Sequence, residues 1–550
     1  MSDLAALLAE AQAHFAAQRF QEAAAAYSRA APLAPQDWTI AYHLGLCLTH
    51  LGQPELALQT YQLARRLAPR QVPVLSQLAA TAFAQGDWAL AQEATLEQIG
   101  CTPEDPLAYD NLGLIFQRQG LQEAALLAFQ NAHLLAPDLP GPLLHLSQTH
   151  LALGQAAEAS ALLTPRLPQH PEHPGLRLTL AQAALAREEL EEAESWARQA
   201  LPLAQGDGNL LLEIGLLFKS LARYDLADQA ETRALALTPQ NPRAHWNHAL
   251  TQLVRGHWPE AWAEYEWGPT VGTRSGFSNR LPRWQGQPLE GRSLLLRSEQ
   301  GLGDTLQFLR FAPWAQAQGG QIVLECAAPL AEIAATAPGI HRVVIQQPDL
   351  PADGFGCDLY APIMGLPHLM GLTLGQLPGC TFPYLTIPAP ARERWEHQLP
   401  GSKPKVGLVW AGNPRHPNDS QRSCPPQALA PLLVQAGVDF YSFQVDQEIP
   451  EELPGLRPLP LSLQSFSDSA AALSQLDLLI SVDTSMVHLA GALNLPTWLL
   501  LPYNGDWRWL ENRTDSPWYP SLRIYRQKMP GQWLPLAETL VRGLNQRFSG

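Results

Sequence analysis

Four short stretches set reactive side chains directly after apolar runs, where a strand gives way to a turn. In "LLLRSEQGLGDTLQFLRF", Gly301 and Gly303 make a flexible turn, Asp304 opens a helix and Gln307 follows one turn later. Glycines allow close backbone approach to a ligand, and a new helix presents free N–H groups. A carboxylate there either caps the helix or accepts a proton from a bound hydroxyl. The turn lacks the lysine of a phosphate-binding P-loop. In "ISVDTSMVHLAGALNLPTWLLL", Asp483, Thr484 and Ser485 stand at a strand-to-helix junction, with His488 four positions after Thr484. That pattern is either an aspartate-capped helix above a half-buried histidine, or a diphosphate seat with hydroxyl and imidazole donors. In "WAGNPRHPNDSQRSCP", the polar residues Asn413, Arg415, His416, Asp419 and Arg422 fall within ten positions. Such a loop is solvated and idle, or it places an arginine against leaving phosphates. In "PYNGDWRWLENRTDSPWYP", aromatics surround Asp506, Arg508 and Arg513, and the tryptophans read as core.

These stretches need a scaffold that brings strand ends together. From Arg292 onward, short apolar runs alternate with amphipathic stretches. "SLLLRSE", "QIVLEC", "RVVIQ" and "CDLYAPI" predict one strand set, with a helix over "DTLQFLRFAPWAQAQ" between the first two. "KVGLVWAG", "VDFYSFQ", "LDLLISVD" and "PTWLLLP" predict a second set. The alternation implies two parallel sheets covered by helices, divided near "TIPAPARERWEHQLPGSKP". The halves span 291–388 and 389–550, and ligands of such sheets bind at the carboxyl ends of the strands.

The first half follows another rule. Pro35, Pro69, Pro103, Pro137 and Pro171 are 34 residues apart, Pro239 lies two periods further on, and Gln205 breaks the series. Alanines at 23, 57, 91, 125, 159, 193, 227 and 261 hold a second phase. Small residues (Ala11, Gly45, Ala79, Gly113, Ser147, Ala181, Gly215) hold a third. Antiparallel helices approach closely only where side chains are small, and proline ends the second helix of each pair. Tyr27, Tyr61, Phe129 and Tyr265 recur at one more phase and are expected to fill the groove between units. These positions resemble the tetratricopeptide repeat, over about residues 4–267. Such repeats stack into a superhelix whose concave surface holds a peptide or another protein. A Gly-, Pro- and Arg-rich segment, 268–290, connects the two parts.

Composition narrows the function further. A chain of 550 residues exceeds one core, so several domains are expected. A net charge of -15 argues against nucleic acid as the main partner. The start "MSDLAALLAEAQAHF" has no basic leader, and no apolar run is long enough to cross a membrane. The scattered cysteines (47, 101, 326, 357, 380, 424) suit reduced thiols of a cytoplasmic protein rather than disulfides or a zinc site.

Together, "GLGDTLQF", "VGLVWAGNPRH", "RSCP" and "DTSMVHLAGALNLPTWLLLP" give residues 291–535 a resemblance to the heptosyltransferase-like glycosyltransferases of the GT-B fold. The whole plan resembles bacterial tetratricopeptide–glycosyltransferase proteins and, less closely, the O-linked N-acetylglucosamine transferases. The resemblance implies an all-α superhelix followed by an α/β GT-B fold with two Rossmann-like halves facing a cleft. It implies Asp304 as general base on an acceptor hydroxyl, with Gly301, Gly303 and Gln307 on the acceptor side. It places the nucleotide-sugar diphosphate against Asp483, Thr484, Ser485 and His488, with Asn413 and Arg422 on the donor side. Arg422, ahead of Pro425, stands where the family has lysine, and Ser485 where the family often has glycine. The implied reaction is inverting and needs neither metal nor bound cofactor, the nucleotide sugar being a co-substrate. The C-terminal helix "LPLAETLVRGLNQRF" is expected to brace the first half of the cleft. The repeats would recruit a protein acceptor, or serve as a docking arm for a glycan transferase. A scaffold with a nucleotide-binding but non-catalytic domain is the alternative.

Overall fold

A computed structural model describes residues 2–274, 281–347, 355–379, 381–416, 418–434, 437–445 and 447–548. Cys380 and positions 275–280 of the expected connector lie outside the described residues. The chain divides into two compact units, Met1–Gln205 and Gly206–Gly550.

The first unit is a stack of six helical hairpins, from Ser2–Ala16 with Phe20–Ala30 to Pro174–Ala186 with Leu190–Ala200. The phased small residues explain the close pairing. A Cβ on Gly45 would lie 2.5 Å from the Tyr61 ring, and one on Gly113 would lie 2.4 Å from Phe129. The phased alanines of this unit, Ala23 to Ala193, are fully buried. Helix Pro54–Leu67 stops just before Pro69, as the proline period predicts. The aromatics also reach the next hairpin: Tyr27 stacks on His43 at 5.5 Å and Phe129 lies 5.4 Å from His145.

The second unit begins with two further hairpins, Gly208–Ser220 with Tyr224–Leu237 and Pro242–Arg255 with Trp258–Tyr265. The sequence period assigns them to the repeats, but their packing joins them to the sheets. Trp258, Trp262 and Tyr265 are almost wholly buried and share one core with both sheets. Trp258 meets Trp518 at 5.3 Å, and Trp262 meets Trp507 at 5.4 Å and Phe308 at 6.3 Å. The Tyr224 hydroxyl donates to Asn504 Oδ1 at 2.6 Å. The connector begins as a firm strap. Arg274 is fully buried, donates to both oxygens of Glu299 (3.1 and 2.6 Å) and also reaches Glu266 at 3.0 Å.

Two all-parallel sheets follow. The first comprises β1 (Ser293–Arg297), β2 (Gln321–Cys326), β3 (Arg342–Ile345) and β4 (Leu359–Pro362), in the order β3-β2-β1-β4. The second comprises β5 (Lys405–Val409), β6 (Asp439–Ser442), β7 (Leu478–Val482), β8 (Thr497–Leu501) and β9 (Leu522–Arg526), in the order β6-β5-β7-β8-β9. Parallel pairing such as Ser293↔Gln321 and Val406↔Leu478 requires crossover connections, which the intervening helices supply. The eight expected strands all form, and β9 is an addition. The expected helix after β1 is broken into Leu302–Phe308, a 3-10 turn and Ala312–Gln316.

Among the described residues, the C-terminal helix, Trp533–Phe548, packs on the second sheet rather than bracing the first half. Its Leu536, Leu540 and Leu544 share a core with Val406, Leu408, Trp498 and Leu500 of the second sheet. One link between the sheets comes from the segment before β9. Buried Arg310 donates to the Trp518 carbonyl at 2.6 Å and to the Leu377 carbonyl at 3.2 Å. The ring of Phe382 lies 5.1 Å from its guanidinium.

Candidate functional site

Strand order locates the crevices. The first sheet runs outward from β1 through β2 to β3, and β4 lies on the other side of β1. The second sheet reverses in the same way between β5 and β7. Such reversal points leave room for ligands beyond the strand carboxyl ends. The Asp304 turn follows β1, the Asn413–Arg422 loop follows β5, and Asp483–Ser485 follows β7. All three candidate segments therefore leave the sheets at a reversal.

Two of them touch. Gly303 packs against the helix Ser485–Ala492, and a Cβ there would meet His488 Cδ2 at 2.8 Å and Ser485 Cα at 3.2 Å. Glycine is needed at 303 for this crossing, whereas Gly301 is exposed.

Asp304 occupies the third position of its helix, whose N-cap is Gly301, so it is not the N-cap residue. Its Oδ2 reaches back to accept the Gly301 N–H at 2.7 Å, and its Oδ1 accepts from Arg508. About 17% of its side chain stays accessible. Burial pushes the Asp304 carboxyl above its ordinary range, and Arg508 pulls it back. Gln307 lies inside the helix and is fully buried, not in a loop. Its Oε1 accepts from Arg508 Nε at 2.8 Å, and among the described residues its Nε2 has no acceptor.

The second turn also differs from the expected cap. Thr484, not Asp483, is the N-cap residue of Ser485–Ala492. Its hydroxyl lies 3.3 Å from Ser481 Oγ, so the first turn of the helix has no side-chain cap. Asp483 instead accepts from Trp509 Nε1 at 2.9 Å. Burial first, and then the nearby Asp506 carboxylate, push its pKa up to about 6. His488 is 5% exposed, pairs with the Tyr519 hydroxyl at 2.9 Å and stacks on Trp509 at 5.5 Å. Burial and the Arg508 charge lower its pKa to about 3, so it is neutral at ordinary pH.

The β5 loop contributes Arg422, on the short helix Asp419–Arg422, with Nε 3.4 Å from Asp419. Its guanidinium and Asp419 press on Gly412, where a Cβ would clash at 2.5–2.9 Å. Arg422 helps to stabilise the Asp483 carboxylate, and His416 senses Arg422, Asp506 and Asp304. The loop is thus within electrostatic reach of both turns. Asn413 is exposed, and its Oδ1 accepts the Arg415 N–H at 3.0 Å, which shapes the turn.

The centre of this arrangement is a residue absent from the sequence-based site. Arg508 follows β8, is 7% exposed, and contacts Asp304, Gln307 and Asp506, the last at 2.8 Å. It stands among Trp507 and Trp509, which are core as expected. The only local signal was a charged pair, Asp506 and Arg508, inside an aromatic run. Among the described residues, no group of three or more His, Cys, Asp or Glu has metal-holding geometry.

Comparison with known proteins adds the following. The sequence pattern of the tetratricopeptide repeat matches residues 8–72 and 144–208. The N-terminal half is built of tetratricopeptide repeats. The chain is 27% identical over 492 residues to Protein FlbA of Caulobacter vibrioides, covering 82% of this chain and 80% of that protein. A tetratricopeptide repeat protein from Parabacteroides merdae aligns over 46% of this chain and 100% of its own, at 14% identity and TM-score 0.41. A thermophilic repeat protein of Thermus thermophilus aligns over 33% of this chain and 99% of its own, at 24% identity and TM-score 0.28. Among the described residues, no helix is long and apolar enough to cross a membrane.

Proposed function

We propose that this protein is a glycosyltransferase of the GT-B type, moving a sugar from a nucleotide-sugar donor to an acceptor hydroxyl. One observation carries the reading: the turn bearing Asp304 and the Asp483–His488 turn pack against each other, each at the reversal point of a parallel sheet. In this reading the 291–388 half receives the acceptor and the 389–550 half receives the nucleotide sugar. The accessible edge of Asp304 takes the acceptor O–H proton as that oxygen bonds to the anomeric carbon. The bond from the anomeric carbon to the diphosphate oxygen breaks, and the nucleoside diphosphate leaves with the electron pair. The uncapped helix start at Ser485, the Thr484 hydroxyl and Arg422 stabilise that charge. Neutral His488 supports the helix from below and lends the diphosphate no positive charge. The repeats recruit the acceptor, a protein in the leading form of the reading. The free cysteines fit a reducing, cytoplasmic setting.

A second reading, a repeat scaffold with a nucleotide-binding but non-catalytic domain, is favoured by both Asp304 oxygens already holding partners. One experiment separates the two. The full-length protein and Asp304→Asn are incubated with UDP-, GDP- and ADP-sugars together with peptide and oligosaccharide acceptors, and both thermal stabilisation and nucleoside diphosphate release are measured. Transfer predicts stabilisation of both proteins and release only by the wild type. Stabilisation without release by either supports the scaffold, and no stabilisation refutes the donor site.

A further inference from the structure

The Asp304 carboxylate is held by a side chain from a distant part of the chain. Arg508 lies 204 positions away, beyond the second sheet's β8, yet its guanidinium forms an ion pair with Asp304. The arginine is itself fixed on three further sides. Its Nε donates to Gln307 Oε1 at 2.8 Å, its Nη1 donates to Asp506 Oδ1 at 2.8 Å, and its guanidinium carbon lies 4.3 Å from the Trp507 ring centre. Its backbone N–H also donates to Asp506 Oδ1, at 3.0 Å. A planar fork held this way has little freedom left, so the carboxylate it grips is held in direction as well as charge.

We propose that Arg508 is a positioning residue for Asp304: its guanidinium, braced by Asp506 and Gln307, keeps the carboxylate aimed and anionic for removal of the acceptor proton. The proposal rests on the sugar-transfer reading above. It follows from the composition of the site. Asp304 sits where burial favours the neutral acid, and a neutral acid cannot take a proton. The groups facing it are few. Arg508 and Asp506 come from the segment after β8, Tyr265 from the last repeat helix, neutral His488 from the helix after β7, and His416 from the β5 loop. Glu299, on the same segment as Asp304, is neutralised by Arg274. Among the described residues, Arg508 is therefore the cation in direct contact, and Asp506 is an anion that competes for it. When Asp304 takes the acceptor proton, Arg508 keeps a counter-charge in Asp506, so no unpaired cation is left buried.

The two neighbours act in opposite directions, which a merely structural role would not produce. Full-length protein carrying 13C-labelled aspartate is titrated by NMR, with the Asp304 resonance identified by its loss in Asp304→Asn. Arg508→Met is expected to raise the pH at which Asp304 titrates by about one unit or more, a tenfold change in proton affinity. Asp506→Asn is expected to lower it, and Arg508→Lys to keep it near the wild-type value. The acidic limb of the pH profile for nucleoside diphosphate release should move with the resonance. An Asp304 resonance that titrates at one pH in all variants, or that moves the same way in Arg508→Met and Asp506→Asn, overturns the proposal. Should Arg508→Met fail to fold, Asp506→Asn decides alone: a downward shift supports the proposal, and no shift or an upward one overturns it. Titrations that move as expected in a protein that releases no nucleoside diphosphate uphold the grip on Asp304 and sink the transfer reading instead.

Discussion

Asp483 is held at a cost to stability that can be measured. Its carboxyl is half-buried and poorly solvated, receives one hydrogen bond from Trp509, and faces a second carboxylate, Asp506. Its pKa rises from 3.8 to about 6. Folding therefore favours the protonated form relative to the unfolded chain. Below about pH 3 both states carry the proton and the penalty is absent. It grows as pH rises and is complete above about pH 6. A rise of about two pH units corresponds to about 3 kcal/mol at most, at 1.36 kcal/mol per unit. Asp483→Asn removes the charge and keeps an oxygen for Trp509. The variant should be more stable than wild type by about 1–3 kcal/mol at pH 8 and equally stable near pH 3. Urea unfolding at both pH values, on a chain beginning at Gly206 so that one unit is observed, gives the comparison directly. A variant less stable at pH 8, or one whose gain is the same at both pH values, refutes the electrostatic argument. The same variant should lose stabilisation by nucleotide sugars if the ionised carboxylate is kept for ligand binding rather than for the fold.

Two further outcomes follow from packing. Gly303→Ala puts a methyl group 2.8 Å from the His488 ring and 3.2 Å from Ser485 backbone, and it should cost about 1–3 kcal/mol in urea unfolding. A neutral result would mean that the two helices can separate freely. A truncated chain of residues 206–550 should unfold in one cooperative step, whereas one of 268–550 should aggregate, because it strips Trp258, Trp262 and Tyr265 from the core shared with Trp507 and Trp518. Size-exclusion chromatography and circular dichroism distinguish these outcomes, and a monomeric, folded 268–550 chain would refute the shared-core account.

The fold was legible wherever packing repeats a local rule. A period of 34 with small residues at fixed phases is set by helix contact distance, and Gly45 under Tyr61 shows the contact behind it. Apolar runs flanked by polar turns gave away eight strands, because strands buried on both faces read as continuous hydrophobic stretches. Strand β9 was missed because "LRIYR" interleaves two arginines, and Arg523 is exposed. The C-terminal helix showed which of its faces is apolar, but an apolar stripe does not say which sheet covers it. Much of the site was legible as strand-end turns, and its centre was not. Arg508 reaches Asp304 across 204 positions. No local pattern encodes that pairing, and the surrounding tryptophans disguise the arginine as part of a core. The capping alternative took a different form at each turn: Asp304 serves the helix start from its third position by accepting the Gly301 N–H, whereas Thr484 stands at the N-cap and Asp483 accepts from Trp509.

The placement of the repeats in two different units has an evolutionary side. Six hairpins form a unit of their own, while the last two are part of the wall of the α/β core. Duplication, loss or exchange of hairpins within the first unit changes none of the residues of that wall, so repeat number can vary there by ordinary gene rearrangement. The final pair has no such freedom. Homologous chains should therefore vary in repeat number at one end only, and a grafted array should be joined near residue 205, not at the point where the helical period stops.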